Sequence, residues 1–230
     1  MKKGFTLAEV LITLGVIGIV AQMTIPTLVN NVRQAVLKSQ LKEAYSILLA
    51  AGAAIKNENG GSYEGLCTSD GTTTNLAAND CIINAFRDKL KYVKECAAGS
   101  TQGVGNCWPT AQYRYNTTYD EMDYDAYNRK GLVLNNGMSF TGFYVDKTCN
   151  TMWAGYTVGI CGGIHVDLNG FSPPNMLGKD VHQFVFTKDT ILPFGAPSAY
   201  TVASGYQDCP GAKGFGCTAH LLNGEDLPNF

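Results

Sequence analysis

Met1-Lys2-Lys3-Gly4-Phe5-Thr6-Leu7-Ala8-Glu9-Val10 opens a stretch that reaches Arg33, and its reading decides how everything after it folds. No charged side chain occurs in residues 10–32. Such a run exceeds the ~20 apolar residues a helix needs to cross ~30 Å of hydrocarbon. Lysines at its N-terminal flank predict a cytoplasmic N-terminus and an exoplasmic remainder.

A cleaved secretory signal also has a basic start, but it needs a shorter apolar region followed by small residues. Here the run continues into Gln22, Met23, Thr24, Ile25 and Pro26. Glu9 is the second departure, because a carboxylate in an apolar span is costly and marks a function or a partner charge. Removing the residues before Phe5 would supply that charge as a free α-amino group.

Lys2-Lys3-Gly4, then Phe5-Thr6-Leu7-Ala8-Glu9 and a long apolar helix, resembles the prepilin leader of type IV pilins and type II secretion pseudopilins. The resemblance covers only the start of the chain. It implies cleavage after Gly4 by a prepilin peptidase, methylation of the new N-terminal Phe5, and assembly roles for Glu9 and for the helix-kinking Pro26. A proline removes one amide donor and clashes with the preceding turn. The implied partners are other pilin or pseudopilin subunits, the inner-membrane assembly platform and membrane lipid. The implied destination is a cell-surface pilus or a periplasmic pseudopilus. A membrane-anchored exoplasmic binding or adhesion protein that never polymerises is the alternative.

These readings divide the chain into a leader (residues 1–4), a transmembrane assembly helix (5–29), an amphipathic continuation (30–58) and an exoplasmic head (59–230). The head is of ordinary size for a single core. Cleavage after Gly4 removes two of 17 basic residues against 19 acidic ones, so the mature chain is mildly acidic and carries no footprint for nucleic acid. All eight cysteines, Cys67, Cys81, Cys96, Cys107, Cys149, Cys161, Cys209 and Cys217, follow the span, where disulfides form. About a hundred pairings are conceivable for such a set. The spacing favours four local loops, Cys67–Cys81, Cys96–Cys107, Cys149–Cys161 and Cys209–Cys217. The absence of any Cys-x-x-Cys pair argues against zinc.

Past Pro26, apolar residues recur with helical period at Leu28, Val29, Val32, Val36, Leu41, Tyr45, Leu48 and Ile55, until Asn59-Gly60-Gly61 ends the pattern. Asp80 is expected to cap a short helix over residues 82–92. The segment 113–129 carries Tyr113, Tyr115, Tyr119, Tyr124 and Tyr127 among Asp120, Glu121, Asp123 and Asp125, and reads as solvated surface. Asn116-Thr117-Thr118 matches a glycosylation sequon. Asn135-Asn136-Gly137 between apolar runs predicts a hairpin of residues 131–134 and 138–146. Residues 164–168 and 182–187 add two strands. The connections are too short for crossover helices, so the four form an antiparallel sheet. Residues 194–230 read as a stapled loop. The expected fold is α+β, pilin-like: one long N-terminal helix packed on a four-stranded antiparallel sheet with disulfide-stapled loops.

No catalytic constellation is visible. His165, His182 and His220 are scattered, and neither a nucleophile elbow nor a zinc-protease motif gives them partners. The chain therefore reads as a structural subunit, not an enzyme, with no cofactor required. Calcium is the one ligand with donors on offer, at Asp167, Asn169 and Asp180 in the loop before residue 182. Three oxygens fall short of the 6–8 that calcium takes, and the same residues suit a turn with capped amides. Some pseudopilins, which this chain resembles, bind calcium in a loop after the sheet.

Overall fold

In a computed structural model of the chain, residues 4, 6–70, 76–97, 107, 112–114, 121–125, 130–150, 159–196, 209 and 214–226 are described. Phe5, the sequon at 116–118 and much of the tyrosine-rich segment lie outside the described residues. The chain separates into two units, Met1–Val36 and Leu37–Phe230.

Helix α1 spans Leu7–Glu58, 52 residues with Pro26 inside. The first unit holds its apolar part. The most apolar 18-residue window has mean hydropathy 1.9 and none of it is buried. Hydroxyls within this part bond back to the helix, Thr13 Oγ1 to the Glu9 carbonyl and Thr24 Oγ1 to the Val20 carbonyl, each at 2.9 Å. That is how a threonine hides its polarity in an apolar helix.

In the second unit α1 becomes one-sided. Leu37, Leu41, Ala44, Leu48, Ala51 and Ile55 are buried, spaced three or four apart. The buried stripe starts at Leu37, not at Leu28 as the periodicity suggests. Leu28, Val29, Val32 and Val36 are exposed and belong with the apolar part.

The stripe packs on a six-stranded antiparallel sheet in the order β1-β4-β5-β6-β7-β8. Its strands are β1 (Tyr92–Cys96), β4 (Gly131–Leu134), β5 (Ser139–Val145), β6 (Ile160–Asp167), β7 (Val181–Thr187) and β8 (Ile191–Pro193). The expected four strands are its centre, and an edge strand on each side corrects the count from four to six. Both edges have the chemistry of edges. In β1 the sequence Tyr-Val-Lys-Glu is exposed, and β8 ends in Pro193. Charges and prolines blunt an unpaired edge, and they also erase the alternation that reveals a strand. β6 begins earlier than expected because Gly162-Gly163 interrupts the apolar pattern, with a register shift between Ile160 and Gly162. A separate ribbon pairs β2 (Gln112–Arg114) with β3 (Glu121–Asp125), within the stretch whose charges read as solvated surface.

The predicted hairpin is present. Leu132 faces Phe140 across β4 and β5, and Gly137 takes φ +87° at the turn, a conformation suited to glycine. Leu132, Phe140, Ile164, Val166, Phe184 and Phe186 join the α1 stripe in one core. Tyr45 stacks on Phe184 with ring centroids 5.4 Å apart and donates its hydroxyl to the Ile191 carbonyl at 3.1 Å. Gly52 lies where a Cβ would stand 2.5 Å from Ile191 Cδ1 and from Tyr63 Oη, so a residue that weakens a helix permits its close approach to the sheet. The alternate sheet positions, Ser139, Thr141, His165, Asp167 and Gln183, are polar yet also buried. Ser139 Oγ donates to the Cys107 carbonyl at 3.1 Å, and the His165 ring contacts the Gln183 amide.

Helix α2 spans Leu76–Arg87, earlier than the expected 82–92, and packs on β5 and β4. Asp80 is therefore inside it and is not its cap. Its Oδ1 instead accepts the Lys130 backbone N–H at 3.1 Å, fixing the entry to β4. A short helix α3 (Cys217–Leu222) stands within the expected terminal loop and contacts β7 and β8. The four disulfides are Cys67–Cys81, Cys96–Cys107, Cys149–Cys161 and Cys209–Cys217. These are the local pairs favoured by the spacing.

Candidate assembly site at the N-terminus

The start of α1 is built as a reciprocal cap. Thr6 precedes the first helical residue, and its Oγ1 accepts the Glu9 N–H at 3.3 Å. Glu9 Oε2 in turn accepts from the Thr6 N–H and from the Thr6 hydroxyl, both at 2.8 Å. A threonine three residues before a glutamate satisfies two end-of-helix donors in this way. The pattern Thr6-Leu7-Ala8-Glu9 is legible in the sequence as a capping box, so Thr6 is a residue that reading Glu9 alone overlooks. The box answers part of the cost of an acid in an apolar helix, since hydrogen bonds now reach the carboxylate from its own chain. They supply no counter-charge. Gly4 is exposed just before the box.

Pro26 lies inside α1, whose helical span continues on both sides of it. Pro26 has no amide hydrogen to give, so the Gln22 carbonyl four residues earlier lacks its usual donor. The large apolar side chains of this part stand open, Leu11 at 62%, Ile12 at 67% and Leu14 at 61% exposure. The helix thus offers membrane lipid, or another helix, a continuous apolar surface with one acid near its start.

Asp167, Asn169 and Asp180 take up a different task from the one calcium would give them. Asp180 is fully buried, its Oδ2 accepting the Asn175 N–H at 2.9 Å and its Oδ1 the Met176 N–H at 2.7 Å. Burial pushes its carboxyl up from the ordinary carboxylate range, against those hydrogen bonds. Asp167 Oδ1 accepts the Asn169 N–H at 3.2 Å. Both carboxylates thus cap loop amides. Among the described residues, no group of three or more His, Cys, Asp or Glu side chains is placed to hold a metal ion.

The three histidines do not converge. His165 is buried beside Gln183 in the sheet. His182 is buried between Thr218 and the Lys179 carbonyl, and His220 bonds to residues just beyond α3.

Comparison with known proteins places a label on the first segment. A family model, the prokaryotic N-terminal methylation motif, matches residues 1–21, the signal motif of type IV pilins and pseudopilins. No curated protein and no solved structure matches the chain. The match spans the leader, the Thr6–Glu9 cap and the first turns of apolar helix. It supports a pilin-like or pseudopilin-like protein, processed by prepilin peptidase and assembling with other pilin subunits. With the apolar helix it fits a membrane-anchored protein, and the motif is that of structural subunits.

Proposed function

We propose that this chain is a minor pilin or pseudopilin, a structural subunit of a type IV pilus or type II secretion pseudopilus. The observation that carries the reading is the joining of the methylation motif to an apolar helix with no buried residue in its most apolar window. The precursor would sit in the membrane with its N-terminus cytoplasmic and its head exoplasmic. Prepilin peptidase would cut after Gly4 and methylate Phe5. The helix of residues 5–29 would then pass from lipid into a bundle of like helices, both being apolar surroundings. Van der Waals packing and the pairing of Glu9 with the amine of a neighbouring Phe5 would drive that transfer. Residues 30–58 would carry the helix into the head of residues 59–230. The minor assignment rests on the bulk of a head with four stapled loops, which is large for the repeating unit of a dense shaft. The function requires no cofactor and no catalytic group.

Mass spectrometry of the mature chain tests the reading. The expected N-terminus is methylated Phe5, and a chain still starting at Met1 in cells that build the filament refutes processing. Shearing such cells separates polymer from anchor. Filament subunits leave in high-molecular-weight fibres, whereas an anchored, non-polymerising protein stays with the membrane.

A further inference from the structure

The exposed apolar side chains of the second unit are not scattered. Among the described residues from Leu37 onward, four large ones stand open: Leu49 at 39%, Tyr92 at 39%, Val93 at 70% and Phe171 at 49% exposure. Singly such residues need no explanation, whereas a group at one place marks a contact. All but Leu49 belong to one end of the sheet.

Contacts between turns fix which end it is. β1 begins at Tyr92, paired with Leu134, and the Lys91 carbonyl accepts the Asn135 N–H at 3.1 Å. Asn136, in that same β4–β5 turn, donates its side-chain amide to Glu43 Oε1 at 2.9 Å. Gly170 abuts the turn so closely that a Cβ on it would stand 2.7 Å from the Gly137 carbonyl oxygen, and Phe171 follows it. Glu43 lies six residues, about 9 Å of helix, past Leu37, where the second unit begins. The other end of the sheet meets α1 at Lys56, which donates to the Asp189 carbonyl at 2.6 Å, and carries the charges of Lys188, Asp189 and Glu64. The apolar row is thus at the end where α1 enters. The Phe171 loop is braced: Asp180 caps two of its amides, the Leu168 N–H donates to the Asp180 carbonyl at 2.8 Å, and Met176 and Leu177 are buried.

We propose that this end of the head, led by Tyr92, Val93 and Phe171, docks on the lipid of the membrane that anchors the chain, an inference that rests on the membrane-anchored reading. The end where α1 arrives from its apolar part meets lipid first, and aromatic rings settle at the boundary between headgroups and acyl chains. β1 and β6 are three strand spacings apart, about 14 Å, so the contact is a row and not a point. Charge adds little, because Lys38, Lys42 and Lys91 at this end are offset by Glu43, Glu225 and Asp226. Docking therefore needs no anionic lipid.

Magnetic resonance of the full chain in nanodiscs of zwitterionic lipid, doped with a lipid whose headgroup chelates gadolinium, reads the contact. Relaxation enhancement at the two ends of the apolar run reports anchoring. Enhancement should also be strong at the amides of Val93 and Phe171 and weak at Asp189. A tether alone would not depend on the side chains of the row, so substitutions decide. Phe171→Ser should lower the ratio of docked to free heads about fivefold, the factor expected for burying the open half of a phenylalanine. Val93→Ser should lower it as well, and both variants should keep the enhancement at the apolar run. Equal enhancement at Asp189 and Phe171, or enhancement that survives both substitutions, overturns docking and leaves anchoring intact. A fall in filament share in Phe171→Ser with unchanged enhancement gives the row to a neighbouring subunit and overturns it too. No enhancement at the apolar run would sink the anchoring, and the docking with it.

Discussion

The two parts of α1 obey opposite rules although both are rich in Leu, Ile, Val and Ala. Before Val36 apolar residues occupy every face, and all the large ones are open: Val10 is 44% exposed and Met23 73%. From Leu37 onward they keep to one stripe, with Leu41, Ala44 and Leu48 fully enclosed. The difference lies in what each part is dissolved in. A helix apolar all round needs an apolar medium, whereas a one-sided helix carries its partner in its own chain. Composition alone does not separate them; the placement of Lys38, Lys42, Glu43 and Lys56 does.

Removing the acid of the apolar part should break the comparison most severely. In the proposed filament Glu9 is neutralised by the amine of a neighbouring Phe5, and the about 2.5–3.5 kcal/mol that an unpaired charge costs at the centre of a span on insertion scales is an upper bound for this first-turn acid. Glu9→Gln keeps the size and the hydrogen bond to Thr6 but removes the charge. Subunits should still be inserted and cleaved, while their share of filaments in a strain also making wild-type protein drops, by at most roughly a hundredfold, the factor that such an energy corresponds to. Incorporation at the wild-type level would rule out charge pairing.

Matched truncations in the two parts sharpen the contrast. Leu41→Ala empties a site with no exposure and should destabilise the head by about 2–5 kcal/mol in chemical denaturation. Leu11→Ala, at a position 62% exposed, should leave head stability within about 0.5 kcal/mol of wild type. An equal loss at both positions would mean that the apolar part is buried against the head.

This division also explains how much was readable beforehand. Where one residue type answers one physical demand, the sequence suffices: the apolar run, Asn136-Gly137 at the hairpin and the cysteine spacings lead to the observed elements. The edge strands escape because a strand that must resist pairing looks polar, as Lys94 and Glu95 do in β1, or ends in a proline, as β8 does at Pro193. Asp80 misleads because a cap and a long-range acceptor are the same side chain, and only tertiary structure brings Lys130 to it. Asp167 and Asp180 are ambiguous in the sequence for the same reason, since oxygens that could hold calcium serve equally to hold amides. At the candidate assembly site Glu9 announces itself by its cost. Thr6 needed the three-residue spacing to be read as a cap.

A pH-dependent effect concerns His182, where the head departs from the simple rule that its interior is apolar. The ring is fully buried, and burial lowers it from the ordinary 6.5 to about 4. Its contacts fix the tautomer. Nε2 lies 3.1 Å from the Lys179 carbonyl and must donate to it. Nδ1 is then an acceptor and takes the hydroxyl proton of Thr218, 3.2 Å away. Thr218 Oγ1 in turn accepts the Gln183 N–H at 3.2 Å, closing a chain of bonds between β7 and α3. Protonating Nδ1 would set two donors against each other. Because the folded value lies below the unfolded one, the unfolded chain takes up the proton first. Stability is therefore complete above about pH 6.5 and drains away as pH falls toward about 4. The shift corresponds to at most about 3 kcal/mol. Asp180 acts in the opposite direction, its raised carboxyl favouring the folded state as acid is added. Denaturation of wild type and His182→Asn across this range isolates the histidine. The asparagine amide can donate and accept as the neutral ring does but cannot take the proton, so the acid-side loss of stability should shrink in the variant. An unchanged slope would show that the ring is not what makes the α3 contact acid-sensitive.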